Sequence, residues 1–168
     1  RIASVSTGEV TPDGRDIVQS VNAASSSIQG VEAGFSANLT DLVSVSAVLN
    51  YTYGEQRIGD ENEPADRVPP LNGRIVLDYT PGEHWSFETW LVAAAGQDRL
   101  SARDVRDPRI NPLGTSGWGM LGASANWANA DWQVTLGIDN LFDRQYRVHG
   151  SGIDAPGRNV YMTLRRTW

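Results

Sequence analysis

The sequence contains no cysteine and no lysine. Without cysteine, a disulfide framework and thiolate metal sites are excluded. All 14 basic residues are arginine, which reads as a compositional bias and not as a function. His84 and His149 are the only histidines, so a histidine-rich metal centre is excluded as well. Positive charge is in deficit: the formal net charge is -6, whereas nucleic-acid binders carry a basic face. Long apolar runs are also missing. The best of them, Trp90–Ala95, falls far short of the ~18 residues of a membrane-spanning helix. The start, Arg1-Ile2-Ala3-Ser4-Val5-Ser6, lacks the apolar core and cleavage pattern of a secretory signal, so the chain reads as mature or as a piece of something longer. Mean hydropathy is mildly polar. That does not exclude the membrane, because a membrane barrel alternates apolar and polar residues and dilutes its own average.

What is present is a period of two. From Leu42 to Gly54, Val43, Val45, Ala47, Leu49, Tyr51 and Tyr53 fall on one face. Ser44, Ser46, Asn50 and Thr52 fall on the other, with Val48 as the exception. The stretch is about twice the ~5–6 residues of an ordinary strand, and a strand tilted across a bilayer needs ~9–11. The alternation recurs at Val31–Leu39, Arg74–Tyr79, Trp85–Ala95, Leu121–Trp127, Trp132–Asp139 and Val160–Trp168. Short connections at Leu39–Leu42, Pro81–Trp85 and Asn129–Asp131 alternate with long polar ones at Gly54–Pro69, Asp98–Ser116 and Asp143–Pro156. This is the rhythm of outer-membrane barrels, with short periplasmic turns and long outer loops. Counting back, Arg1–Gly8 adds a strand and Thr11-Pro12-Asp13-Gly14 its outer loop, for about eight strands. Tyr51, Tyr53, Tyr79, Trp85, Trp127, Trp132 and Trp168 fall at predicted strand ends, where a barrel keeps its aromatic girdles. The fold class is all-β: a transmembrane antiparallel β-barrel. A soluble β-sandwich binding module also alternates, but its strands are shorter and turn more often.

Towards the C-terminus, Leu136-Gly137-Ile138-Asp139-Asn140-Leu141-Phe142-Asp143-Arg144-Gln145-Tyr146 resembles the Asn-Leu-Phe-Asp…Tyr segment opening the final hairpin of TonB-dependent receptors. His149-Gly150-Ser151 and Pro156-Gly157-Arg158-Asn159 follow, then a last strand ending on Trp168. Upstream, Gly114-Thr115-Ser116-Gly117-Trp118 resembles the family's loop-to-strand junction. Ile28-Gln29-Gly30-Val31-Glu32 resembles its Gly-Val-Glu strand, and Asn50-Tyr51-Thr52-Tyr53 its Tyr-Thr-Tyr strand end. The resemblance implies a 22-stranded barrel plugged by an N-terminal domain, of which residues 1–168 supply about eight C-terminal strands and no plug. It implies an outer-membrane transport receptor, not an enzyme, that uses TonB-delivered energy to import a scarce ligand such as a siderophore, haem or cobalamin chelate. It carries no cofactor. Implied partners are the rest of the receptor, the TonB complex reached through it, lipid and lipopolysaccharide, and the barrel-insertion machinery. Met162, Leu164 and Trp168 resemble the insertion signal. Arg166 departs from it, and is expected near the periplasmic head groups. The alternative is a self-contained eight-stranded barrel serving as anchor or adhesin.

Ligand contacts are expected at Arg99, Arg103, Trp118 and His149. Arg99, Arg103, Arg106 and Arg109 lie among Asp98, Asp104 and Asp107, so they either meet an anionic chelate or lipopolysaccharide phosphate or pair among themselves. Asp60-Glu61-Asn62-Glu63 with Asp66 offers oxygen ligands of the kind Ca²⁺ takes, though a solvated loop is the plainer reading. Asn140 and Asp143 are expected to cap a strand end, Gly157 to supply a turn conformation, and Arg158 to pair with a carboxylate. Gly117–Gly122 matches a GxGxxG string but no helical pattern follows it. His149, Ser151 and Asp154 are triad residue types without a nucleophile elbow.

Overall fold

A computed structural model describes residues 2–22, 25–59 and 61–168. Arg1 and Asp60 of the sequence reading lie outside the described residues. Strands β1 (Ile2–Val10) and β2 (Asp16–Asn22) form an antiparallel hairpin. The rest is an eight-stranded antiparallel sheet built from β3 (Ser25–Asn38), β4 (Val43–Ile58), β5 (Glu61–Pro64), β6 (Asn72–Tyr79), β7 (Trp85–Ala94), β8 (Trp118–Ala128), β9 (Trp132–Asp139) and β10 (Asn159–Arg166). The spatial order is β10-β9-β8-β7-β6-β4-β3, and β5 pairs with the far end of β4. With β5 set aside, each strand of this sheet lies beside its neighbour in sequence, as in a meander. One short helix, α1 (Ala102–Arg106), sits in the loop between β7 and β8.

Cross-strand register carries the alternation from strand to strand. The row Ala47, Ile75, Leu91, Leu121 is aligned residue to residue, as is the row Tyr79, Phe87, Ala125, Leu136, Met162. The result is one continuous apolar face, and it is open: Val31 is 69% exposed, Leu136 53% and Val160 71%. A soluble sandwich would cover that face with a second sheet. Among the described residues no second layer does so, and the sheet does not close on itself, since β3 and β10 are both edges. The sandwich and the self-closed small barrel are corrected by these two features.

At the short-turn end, Trp85, Phe87 and Tyr79 stack in series, with centroids 5.9 and 6.0 Å apart. Arg166 is on the apolar face, as its register opposite Trp132 requires, at this same end. Its guanidinium lies 5.1 Å from the Trp132 ring and 4.5 Å from that of Trp168, which matches the expectation of a cation held at an interface. Met162 and Leu164 share this face.

The opposite face is polar and small: Ser36 faces Ser46, Asp78 faces Glu88, and Thr135 faces Thr163. Two large side chains on it lie across glycines of neighbouring strands. Trp90 covers Gly122, and Tyr161 covers Gly137. A Cβ at either glycine would overlap the ring, so Gly122, the last glycine of the GxGxxG string, and Gly137 in β9 serve packing. Trp90 is 8% exposed, beneath the Arg74–Glu88 ion pair. The apolar run Trp90–Ala95 thus divides between the two faces.

Three sequence expectations shift at the outer end. β4 runs on to Ile58, well past Gly54, because β5 returns against it and satisfies its backbone. The expected loop thereby becomes a hairpin extension. β3 starts at Ser25, before Gly30, paired with the same extension.

Candidate functional site: the loop cap and its aromatic pocket

Apart from Trp90, the buried apolar side chains of the described residues lie in the long loops: Ala65, Val68 and Ile110. Polar residues are buried there too, at Gln56, Gln97, Ser101, Asp104 and Asn140. A buried polar group is costly unless hydrogen-bonded, and most of these are. Ser101 caps α1: its hydroxyl accepts from Asp104 N at 3.0 Å while Asp104 Oδ2 accepts from Ser101 N at 3.3 Å. The same carboxylate oxygen accepts from Arg67 N at 3.1 Å, locking the β5–β6 loop to α1. Gln97 Nε2 donates to Val68 O at 2.8 Å and Ala102 N donates to Glu63 Oε2 at 2.9 Å. The first two long loops are thus one folded cap.

The acidic run has donors already. Glu63 and Asp66 accept from Gln56 Nε2 at 2.8 Å each, and Arg103 reaches Asp66 at 3.3 Å. Oxygens so occupied are not arranged for calcium, and Glu61–Pro64 is a paired strand, not a loose loop. Asp107 takes Arg109 through Nε at 2.8 Å and Arg67 at 2.7 Å. These two arginines, Arg109 foremost, hold the Asp107 carboxyl well below the usual carboxylate range.

The third long loop hangs on the Asn-Leu-Phe-Asp motif. Asn140, 2% exposed and left-handed at φ 50°, donates to Arg144 O and Pro156 O at 2.9 and 3.2 Å and accepts from Arg144 N at 2.9 Å. Asp143 Oδ1 accepts from Arg158 N at 2.7 Å, so Arg158 engages through its backbone and not through the expected side-chain pair. Gly157 does not have the left-handed conformation expected of a turn glycine; a Cβ there would lie 2.7 Å from Asp143 Oδ1 and press on the carboxylate that holds Arg158 N. The triad types stay apart: Asp154 pairs with Arg147, Ser151 Oγ donates to Ile153 O, and His149 meets Thr115.

On the polar side of the sheet, where β8 leaves the cap, Trp118 stacks on Tyr146 with centroids 4.1 Å apart. They line a pocket of about 220 Å³ with Arg109, Arg147 and the backbone of Gly114–Gly117. Thr115 belongs to the pocket wall, and its hydroxyl lies 2.9 Å from His149 Nδ1. The structure therefore brings Trp118 and His149 to one place. It sends Arg99 and Arg103 elsewhere: Arg99 lies 3.9 Å over the Tyr53 ring on the apolar face, and Arg103 is bound to Asp66. Tyr146, Arg109 and Arg147 complete the site. Tyr146 was visible as the end of the Asn-Leu-Phe-Asp…Tyr segment; nothing local in the sequence singled out Arg147.

Burial lowers the His149 pKa below its usual value, outweighing the pull of Asp104 and joined by the repulsion of Arg67. An unfolded histidine takes its proton at about pH 6.5; the folded loop takes it only at lower pH. Between those values the loosened loop holds more protons, so stability falls as pH drops. Amide exchange in residues 96–117 and 141–155, corrected for intrinsic rates, is expected to rise between about pH 7 and pH 5.5. His149→Gln is expected to flatten that dependence. A wild-type loop indifferent to pH in this window would contradict it.

An open antiparallel sheet with its bulky apolar side chains outward, aromatics at its turn end and small polar residues inward is the wall of a transmembrane β-barrel. The family profile described as "TonB dependent receptor-like, beta-barrel" matches residues 1–141, and the chain belongs to that family of outer-membrane receptors. The ferric enterobactin receptor PirA of Pseudomonas aeruginosa is 24% identical over 92% of this chain. The chain spans 22% of that relative's length. Among solved structures, the copper transporter OprC aligns with TM-score 0.76 and 24% identity, over 98% of this chain and 25% of its own. The siderophore receptor PiuA from Acinetobacter baumannii aligns with TM-score 0.61 and 17% identity, over 83% of this chain and 21% of its own. A mutant ferric enterobactin receptor, PfeA from P. aeruginosa, gives 0.64 and 18%, over 96% of this chain and 25% of its own.

Proposed function

We propose that this chain is the C-terminal part, residues 1–168, of the barrel of a receptor importing a scarce metal chelate with energy supplied through TonB. The remaining strands, the plug and the segment that engages TonB belong to the rest of the receptor. In this reading the chain supplies wall and outer loops and performs no chemistry. It carries no cofactor. The observation that carries it is the Trp118–Tyr146 platform flanked by Arg109 and Arg147, on the lumen side beneath the loop cap. The aromatic faces suit a planar group, and an anionic ligand would draw on guanidinium edges left by the Arg109–Asp107 and Arg147–Asp154 pairs. Among siderophore, haem and cobalamin chelates, those with aromatic rings and negative charge fit best, and the relatives named for ferric enterobactin and siderophores favour the siderophore class. Met162, Leu164 and Trp168 serve the insertion machinery in this reading.

The test is uptake of labelled ferric chelates by cells carrying the whole receptor, with and without TonB. Uptake is expected to vanish without TonB. Trp118→Ala with Arg147→Gln is expected to weaken chelate binding by about tenfold or more, the loss of one stacked anchor and one charged contact. TonB-independent uptake would overturn the receptor reading, and unchanged binding in the double variant would overturn the pocket.

A further inference from the structure

The lipid-facing side of the wall is not uniform. Where β3, β4, β6 and β7 meet, it sinks into an apolar groove of about 540 Å³, within the ~300–1,000 Å³ range of ligand sites. Gly73, Ala47 and Ala93 form its floor, and Phe35, Leu49 and Leu91 its sides. Gly73 is in register with Ala93 and with Leu49, and Ala47 with Phe35, so the depression follows from small side chains at adjacent positions of one face. Its outer end is at Leu71 and Ala95, joined by a hydrogen bond from Ala95 N to Leu71 O of 2.8 Å.

Farther along the same face, towards the outer loops, the chain places a cation. Tyr53 stands four positions above Leu49 on the same face of β4, about 13 Å along the strand. The Arg99 guanidinium lies 3.9 Å over its ring. Glu55 is beside them: its carboxylate accepts the Tyr53 hydroxyl at 2.7 Å and makes only a long ion pair, 4.0 Å, with Arg99. The Arg99 side chain is 39% exposed. An arginine kept on the outer face by an aromatic ring, above an acyl-sized apolar groove, matches one chemistry: an acyl chain joined to a phosphate. In the outer leaflet that molecule is the lipid A of lipopolysaccharide.

We propose that this groove binds one lipid A acyl chain, with Arg99 engaging its phosphate. The site is separate from the aromatic pocket, on the other face of the wall, and needs only that the apolar face be the lipid face. Arg99 thus has a role at the rim and not over the lumen. The bound lipid would fix the outer ends of β4 and β7, and with them the base of the loop cap.

Native mass spectrometry of the whole receptor, delipidated in detergent, provides the test. It is titrated with bisphosphorylated lipid A, with dephosphorylated lipid A and with phosphatidylethanolamine. Lipid A is expected to be retained at one per receptor, and the other two poorly. Arg99→Gln is expected to weaken lipid A retention about fivefold or more, with Arg99→Lys partly restoring it. Ala47→Leu with Ala93→Leu fills the groove with apolar side chains suited to the lipid face, and is expected to abolish retention. All variants should remain heat-modifiable on gels and bind chelate as wild type, which separates failure here from failure of the uptake reading. Equal retention by every variant, or equal retention of phosphatidylethanolamine, would show an unspecific lipid annulus and overturn the proposal.

Discussion

Leu91→Arg is expected to prevent this wall from assembling in the membrane. Leu91 lies in the row Ile75, Leu91, Leu121, away from both the turn-end aromatics and the outer loops, so it marks the middle of the apolar band. An arginine at the midplane of a barrel's lipid face costs about 2–4 kcal/mol. Were this face wetted, the same change at a side chain 41% exposed would fall within about 0.5 kcal/mol of neutral. The two expectations differ several-fold in size. In whole cells, the variant receptor should be degraded or lose its heat-modifiable form. The control is Ser124→Arg, on the lumen face in register with Glu88, where the new cation has a carboxylate opposite. Its folding should be near normal. Normal assembly of both variants would remove the physical basis for assigning the apolar face to lipid.

That assignment was legible in the sequence because a period of two is a local property. Val43 to Tyr53 needs no partner to declare which residues share a face, and the membrane keeps the requirement strict along the whole apolar band. Beyond the bilayer the requirement lapses. β4 beyond Gly54, β5 and α1 went unforeseen for that reason: their residues are mostly polar with no sustained alternation, and what orders them is pairing across loops. Asp104 illustrates this, since its partners Ser101 and Arg67 come from its own helix cap and from a residue far away in sequence. Charge alone marked Arg99 and Arg103 as ligand contacts, yet Tyr53 and Asp66 decide where they lie. Trp90 was hidden differently. Its neighbours made a uniform apolar run that blurs the alternation, and the register opposite Gly122 shows that it faces the lumen. The aromatic pocket was half visible. Trp118 and Tyr146 end two separate family-like segments, and the stack between them is a contact that neither segment could display alone.

Asn140→Ala is expected to release the third long loop while leaving the wall intact. The side chain ties both ends of that loop, through Arg144 on one side and Pro156 on the other. Its removal leaves buried backbone groups without partners, which costs about 1–3 kcal/mol. Alanine also tolerates the left-handed φ of 50° poorly, adding about 1–2 kcal/mol. Asn140→Gly separates the two effects, since glycine accepts the conformation but restores no hydrogen bond. It should fall between wild type and alanine. The consequence reaches the pocket, because Tyr146 is held in the same loop, its carbonyl accepting from Ala155 N at 2.8 Å. Loosening the loop frees Tyr146 from Trp118, so chelate binding should weaken without any change to a pocket residue. Limited proteolysis should show new cleavage between residues 141 and 158, with heat-modifiability preserved. An unchanged cleavage pattern in Asn140→Ala would mean that the loop is held by Asp143 and the Arg147–Asp154 pair alone. The Asn-Leu-Phe-Asp segment would then owe its form to the strand it ends, and not to the loop it opens.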